Sequence, residues 1–240
     1  MVTTRTESIT VDGGSFSAHV ALPDSGSGPG LLILQEIFGV NSYIRSVCAR
    51  VAQMGYLALA PDMFWRQQPD FIVEPDQGDD GMQSAFAMMG GFDWSQAPGD
   101  LGAALGHLRG LPECTGEAGV MGFCFGGTLT FHVAADHDPA CAISYYGSGI
   151  ADALDAKADQ VSCPVLFHFG SDDPYLPIED VDRIRARFAD ATDVTIEVQP
   201  GAGHAFDNDF NPLFSNPEAA AAAWAATAAF LAGHLPPSAG

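Results

Sequence analysis

The feature that most constrains the fold is a recurring alternation. Continuous apolar runs of strand length, LLILQ (31–35), YLALAP (56–61), AGVMGF (118–123), CAISYY (141–146) and PVLFHFG (164–170), are spaced by stretches with helical patterning near 43–54, 98–109, 125–135 and 178–191. A run without polar interruptions is buried on both faces, the condition of a parallel strand covered by helices. Strand, helix, strand repeats of this kind predict an α/β fold: a mainly parallel sheet with helices on both faces and ligands bound beyond the carboxyl ends of the strands. Before the first repeat, ESIT and FSAHVAL read as two strands joined at the Asp12–Gly14 turn, and SGSGPG breaks the chain after them. After the last strand, VTIEVQ, the alanine-rich stretch from Pro217 reads as a closing helix that serves packing.

At 240 residues the chain is expected to form a single domain, 1–240, with the irregular stretch 62–95 as an active-site cover. Hydrophobic residues make up 47% of it and charged residues 16%, enough apolar surface to offset the entropy of ordering. The formal charge of −21, with nine Lys plus Arg, excludes nucleic acid and anionic membrane surfaces as expected partners. MVTTRTESIT lacks the apolar core of a signal peptide, so a cytoplasmic location is expected. Cys48, Cys114, Cys124, Cys141 and Cys163 are odd in number and lack CxxC spacing, which predicts neither a disulfide framework nor a metal site.

One cysteine is placed differently from the rest. In GVMGFCFGGT, Cys124 stands between a strand end and a helix start, among Gly122, Gly126 and Gly127. A side chain on so sharp a turn needs neighbours almost devoid of side chain, and it then projects above the sheet. This is the nucleophile elbow of the α/β-hydrolase fold with cysteine in place of serine. A small buried hydrophobe, or a glycine-rich phosphate turn, would also fit the motif alone. The partners favour the nucleophile: Asp172 and Asp173 follow the strand PVLFHFG, and His204 follows VTIEVQ within GAGHAF, in the order nucleophile, acid, histidine. The other histidines (His19, His107, His132, His137, His168, His234) fall within strands or helices or at a helix end. Glu36, directly after LLILQ, lies on the loop that supplies the second oxyanion-hole N–H in this fold, here from Ile37 beside that of Phe125. A protonated His204 favours the thiolate and an ionised Glu36 disfavours it, and the expectation is a resting thiol that is largely neutral.

QEIFGVN (35–41), PDMFWRQ (61–67), GFCFGG (122–127), SYYG (144–147), HFGSDDPYLP (168–177) and AGHAF (202–206) together resemble the dienelactone hydrolase family, the carboxymethylenebutenolidases, over most of the chain. The resemblance implies Cys124 as nucleophile, His204 as base, Asp173 rather than Asp172 as acid, and Glu36 as an additional carboxylate that assists the thiol. It implies ester or lactone hydrolysis through a thioester intermediate, without cofactor or metal, by a monomer or small homo-oligomer. The family's two carboxylate-binding arginines are replaced by Met82 and Asn208. Phe38, Trp65, Phe86, Met89, Tyr145 and Phe206 are the expected substrate contacts, and a neutral or apolar ester the expected substrate unless Arg66 compensates. The alternatives are dienelactone hydrolysis itself and a family member that binds a ligand without turnover.

Overall fold

The structure, a computed structural model, describes residues 2–237. Its strands are β1 (Thr3–Val11), β2 (Gly14–Leu22), β3 (Gly28–Leu34), β4 (Leu57–Pro61), β5 (Cys114–Phe123), β6 (Ala142–Tyr145), β7 (Val165–Gly170) and β8 (Val194–Gln199). They form a sheet in the order β1-β2-β4-β3-β5-β6-β7-β8. β2 is antiparallel to β1 and β4, whereas β3–β4, β5–β6, β6–β7 and β7–β8 are parallel pairs. The helices are α1 (Ser42–Gln53), α2 (Gly78–Gly90), α3 (Ala97–Gly110), α4 (Phe125–Asp136), α5 (Ile150–Lys157), α6 (Ile178–Arg187) and α7 (Pro217–His234). None of the described helices is long and apolar enough to cross a membrane.

The described residues gather into two compact units, 2–119 with 235–237 and 120–234, so that β5 begins in the first and ends in the second. In the first unit α1 packs on β2, β3 and β4, and α3 on β1 and β3. Every residue of β3 is buried, as its unbroken apolar run requires. Gly30 is obligatory there, because a Cβ at that position would lie 2.9 Å from Leu108 of α3 and 3.0 Å from Ala118 of β5. The loop after β4 is fixed by charge: Asp100 of α3 accepts from Trp65 Nε1 at 2.9 Å and from Arg66 Nε and Nη2 at 2.9 and 2.8 Å. Asp62 ties the same loop, accepting from the Phe64 and Asp70 amides.

In the second unit α4 packs on β6, and α7 on β7 and β8. Only His132 and Asp136 of α4 escape burial, as expected of a central helix without a polar face. The interior carries a polar chain. Thr227 of α7 meets the Tyr145 hydroxyl at 2.8 Å and His168 Nε2 at 3.0 Å, all three side chains being enclosed.

Two elements depart from the sequence reading. The stretch read as irregular contains α2, whose Gly78, Gly81 and Gly90 hide a helix carried by Ala85, Ala87, Met88 and Met89 and favoured by Asp79 and Asp80 in its first turn. The short α5 was not expected, since two of its eight residues are aspartates. β6 also stops one residue earlier than its apolar run, because Tyr146 takes φ +40°.

Burial lowers the pKa of His168 to about 3. An unfolded histidine takes up its proton near pH 6.5 and this folded one only near 3, so stability falls as pH drops through that window, by about 1.4 kcal/mol per unit. Urea unfolding at pH 7 and pH 5 should show the wild type losing about 2 kcal/mol more than His168→Gln. Equal losses would mean that His168 charges freely in the fold.

Candidate active site

Cys124 joins β5 to α4 with φ +54° and ψ −116°, a conformation that costs an L-residue on the order of 1–3 kcal/mol. Its surroundings enforce that conformation. The Cys124 amide donates to Tyr145 O at 3.0 Å, and Cys124 O accepts from Thr128 N, which opens the ladder of α4. A Cβ on Gly122 would lie 2.1 Å from Gly126 O, and one on Gly127 would lie 2.4 Å from Tyr145 O. Gly122 and Gly127 are therefore required by close backbone approach, and the thiol is left half-buried above the sheet. Phe125 begins α4, and its amide lies in the first turn, ahead of the i→i−4 ladder.

His204 and Asp173 come to Cys124 from the next strand ends. His204 Nε2 lies 3.0 Å from Cys124 Sγ, and His204 Nδ1 lies 2.7 Å from Asp173 Oδ2. Asp173 Oδ1 accepts from the Tyr175 and Leu176 amides at 2.8 and 3.2 Å, which aims its other oxygen at the histidine. Asp172 turns away and accepts from Ser171 Oγ instead. The loops are joined to each other: Asp172 N donates to Ala202 O, and Gly201 N to Ser171 Oγ. Tyr146 N donates to His168 O at 2.7 Å. Of the described residues other than glycine, Asp70, Cys124, Tyr146 and Ala205 have positive φ; the last three are the nucleophile candidate, a ring neighbour of His204 and the residue after it.

Burial opposes charge on His204, but the Cys124 sulfur and the Asp173 carboxylate outweigh it and raise the imidazole pKa to about 10. Both neighbours thus favour the imidazolium form of His204. Burial pushes Cys48 and Cys141 up to about 12 and Cys163 to about 11, which leaves those thiols inert.

In the first unit, Glu36 follows β3 and is buried at 1% exposure, with Ile37 buried beside it in sequence. Their segment is anchored by Gln35 Oε1, which accepts from Met63 N, and by Phe38 O, which accepts from Val73 N. Asn41 closes it, capping α1 through the Ile44 amide and donating to Val73 O. Gly39 takes φ +77°, and a Cβ on it would meet Phe71 O at 1.9 Å. Phe38 and Met89 are half-buried, and Phe86 is exposed.

Three expected substrate contacts are corrected. Tyr145 and Phe206 are completely enclosed in the core, Tyr145 by Phe123, His168 and Trp224 with its hydroxyl on Thr227. Trp65 is buried against Phe16 and bonded to Asp100. Arg66 is committed to the same carboxylate and lies 4.2 Å over the Trp65 ring, so it does not replace a missing arginine. Asn208 is buried, its Oδ1 accepting from Phe210 N. Sequence reading overlooked the two tyrosines that pack on His204, Tyr146 and Tyr175. It also overlooked two residues of α7: Thr227, the one hydroxyl in an alanine-rich helix, and Trp224, which donates to Asp207 at 2.6 Å.

The imidazole of His204 is measurable directly. Its Cε1–H resonance should titrate above pH 9 in the wild type and move down by several units in Cys124→Ala, while His168 stays uncharged to below pH 4. A wild-type His204 titrating at or below 6.5 would establish a neutral resting pair.

The sequence model of the dienelactone hydrolase family matches residues 16–235. A carboxymethylenebutenolidase from a Pseudomonas species is 36% identical over 227 residues, covering 92% of this chain and 93% of that one. The carboxymethylenebutenolidase of Pseudomonas putida is 35% identical over 204 residues, 84% of this chain and 86% of its own. The crystal structure of dienelactone hydrolase from Anabaena variabilis superposes with a TM-score of 0.71 at 18% identity, over 98% of this chain and 99% of that one, and shares the fold. With its eight-stranded, mainly parallel sheet and this match over most of its length, the chain belongs to the dienelactone hydrolase family and is a hydrolase.

Proposed function

We infer that the protein hydrolyses esters or lactones through Cys124, with His204 as base, Asp173 as its orienting acid and a thioester intermediate. The observation that carries this reading is the pair of contacts at His204, 3.0 Å from the Cys124 sulfur on one side and 2.7 Å from the Asp173 carboxylate on the other. A base held this way is in reach of both the thiol proton and the departing oxygen, and the carboxylate fixes which nitrogen faces the sulfur.

Sγ gives its proton to His204 Nε2 and attacks the acyl carbon, and the carbonyl electrons move onto oxygen, where the Phe125 and Ile37 amides are the proposed donors. The carbon–oxygen bond to the leaving group then breaks, His204 Nε2 supplies its proton, and the acyl group stays on sulfur. Water next gives a proton to His204 and attacks the thioester carbon, which releases the acid and returns the thiol. Glu36 keeps the supporting role that the family resemblance gives it.

The relatives named carboxymethylenebutenolidase favour a lactone or enol ester as substrate class. Met82, the buried Asn208 and the committed Arg66 leave no bidentate cation for a substrate carboxylate at those positions, which favours a neutral ester.

Nitrophenol release from p-nitrophenyl acetate and butyrate tests the reading. Cys124→Ala should abolish turnover, and Asp173→Asn should lower kcat by about 10²- to 10⁴-fold by losing the orientation of the base. Turnover equal to wild type in Cys124→Ala would remove the cysteine mechanism.

A further inference from the structure

If His204 hands its proton to the departing oxygen, the first atoms of the leaving group must lie beside its imidazole. Two tyrosines meet that ring edge-on, Tyr146 with centroids 5.3 Å apart and Tyr175 with centroids 5.0 Å apart. Their surroundings differ. Tyr146 is completely buried and packed against Phe206 and Phe123. Tyr175 is 54% exposed although its backbone is fixed by the amide's bond to Asp173 Oδ1. A large ring left half in water on an otherwise anchored loop, in contact with the base, is an apolar surface that the protein covers only in part.

We propose that Tyr175 is the specificity-determining residue on the leaving-group side, giving the enzyme a preference for esters whose leaving group is a flat aromatic ring. The inference rests on the hydrolase reading above and deepens it. The ring lies one aromatic spacing from the imidazole, so a planar group attached to the oxygen that His204 protonates comes within stacking distance of the exposed part of Tyr175. An alkyl leaving group at the same oxygen covers less of the ring. The tyrosine hydroxyl takes no part in this contact, so phenylalanine should serve as well.

The test compares phenyl acetate with 2,2,2-trifluoroethyl acetate, which form the same acetyl thioester and differ only in what departs. Tyr175→Ala should lower kcat/KM for phenyl acetate by about 3- to 10-fold, the scale of one aromatic pair, and change trifluoroethyl acetate by less than about twofold. Tyr175→Phe should retain the wild-type ratio of the two esters, and Tyr175→Leu, which keeps bulk without a flat ring, should lose it. Phenol should inhibit trifluoroethyl acetate hydrolysis correspondingly less well in the Leu and Ala variants. Equal losses on both esters would overturn the proposal and leave Tyr175 as a residue that positions His204. Unchanged activity on both would overturn it as well. A wild type no more active than Cys124→Ala on either ester would instead bring down the hydrolase reading itself.

Discussion

The site depends on how closely α4 approaches the end of β5. The turn that joins them leaves no room for a side chain at Gly122, where a Cβ would sit 2.1 Å from Gly126 O, and forces Cys124 to φ +54°. Such a backbone is strained by itself and persists only where its surroundings over-determine it. Here they do so twice: β6 receives the Cys124 amide through Tyr145 O, and α4 begins its ladder on Cys124 O. One close backbone contact thus sets where the sulfur stands and places the first turn of a buried helix directly after it.

The same logic extends across the strand ends of the second unit. β6 continues into Tyr146, whose positive φ and amide bond to His168 O aim its ring at His204. β7 continues into the Asp173 turn, and β8 into the loop carrying His204, with Asp172 N bonded to Ala202 O between them. Below, Tyr145, Thr227 and His168 satisfy one another in an enclosed polar chain, and Trp224 holds Asp207 three residues past the histidine. Most of these supports are main-chain bonds or buried aromatic contacts, so the three candidate catalytic side chains need little ordering of their own before reaction.

Much of this was legible in the sequence, for identifiable reasons. Unbroken apolar runs reported the buried strands, and glycines reported the elbow, because both are consequences of backbone crowding that leave few residues to choose from. The order of nucleophile, acid and histidine followed from strand ends, which left Asp172 and Asp173 both open, and the family resemblance chose Asp173 between them. What escaped was set by partners far apart in sequence. Nothing local distinguishes the sealed Tyr145 from a ring facing substrate; its place is decided by Thr227, 82 residues on. Trp65 reads as a binding aromatic until Asp100 takes its indole N–H, and Arg66 reads as an available cation until the same carboxylate claims it. The helix α2 was hidden by its own glycines. The neighbours of the His204 imidazole likewise came from geometry, in its 3.0 and 2.7 Å contacts with Cys124 and Asp173.

The central claim is that the acyl group passes through Cys124, and intact-mass measurement tests it most directly. Protein quenched in acid within a turnover of mixing with p-nitrophenyl butyrate should carry one butyryl group, mapped by peptide mass to Cys124 and absent from Cys124→Ala. Butyryl transfer to another residue, or turnover with no acyl adduct under conditions where chemistry is slowed by His204→Ala, would contradict the account.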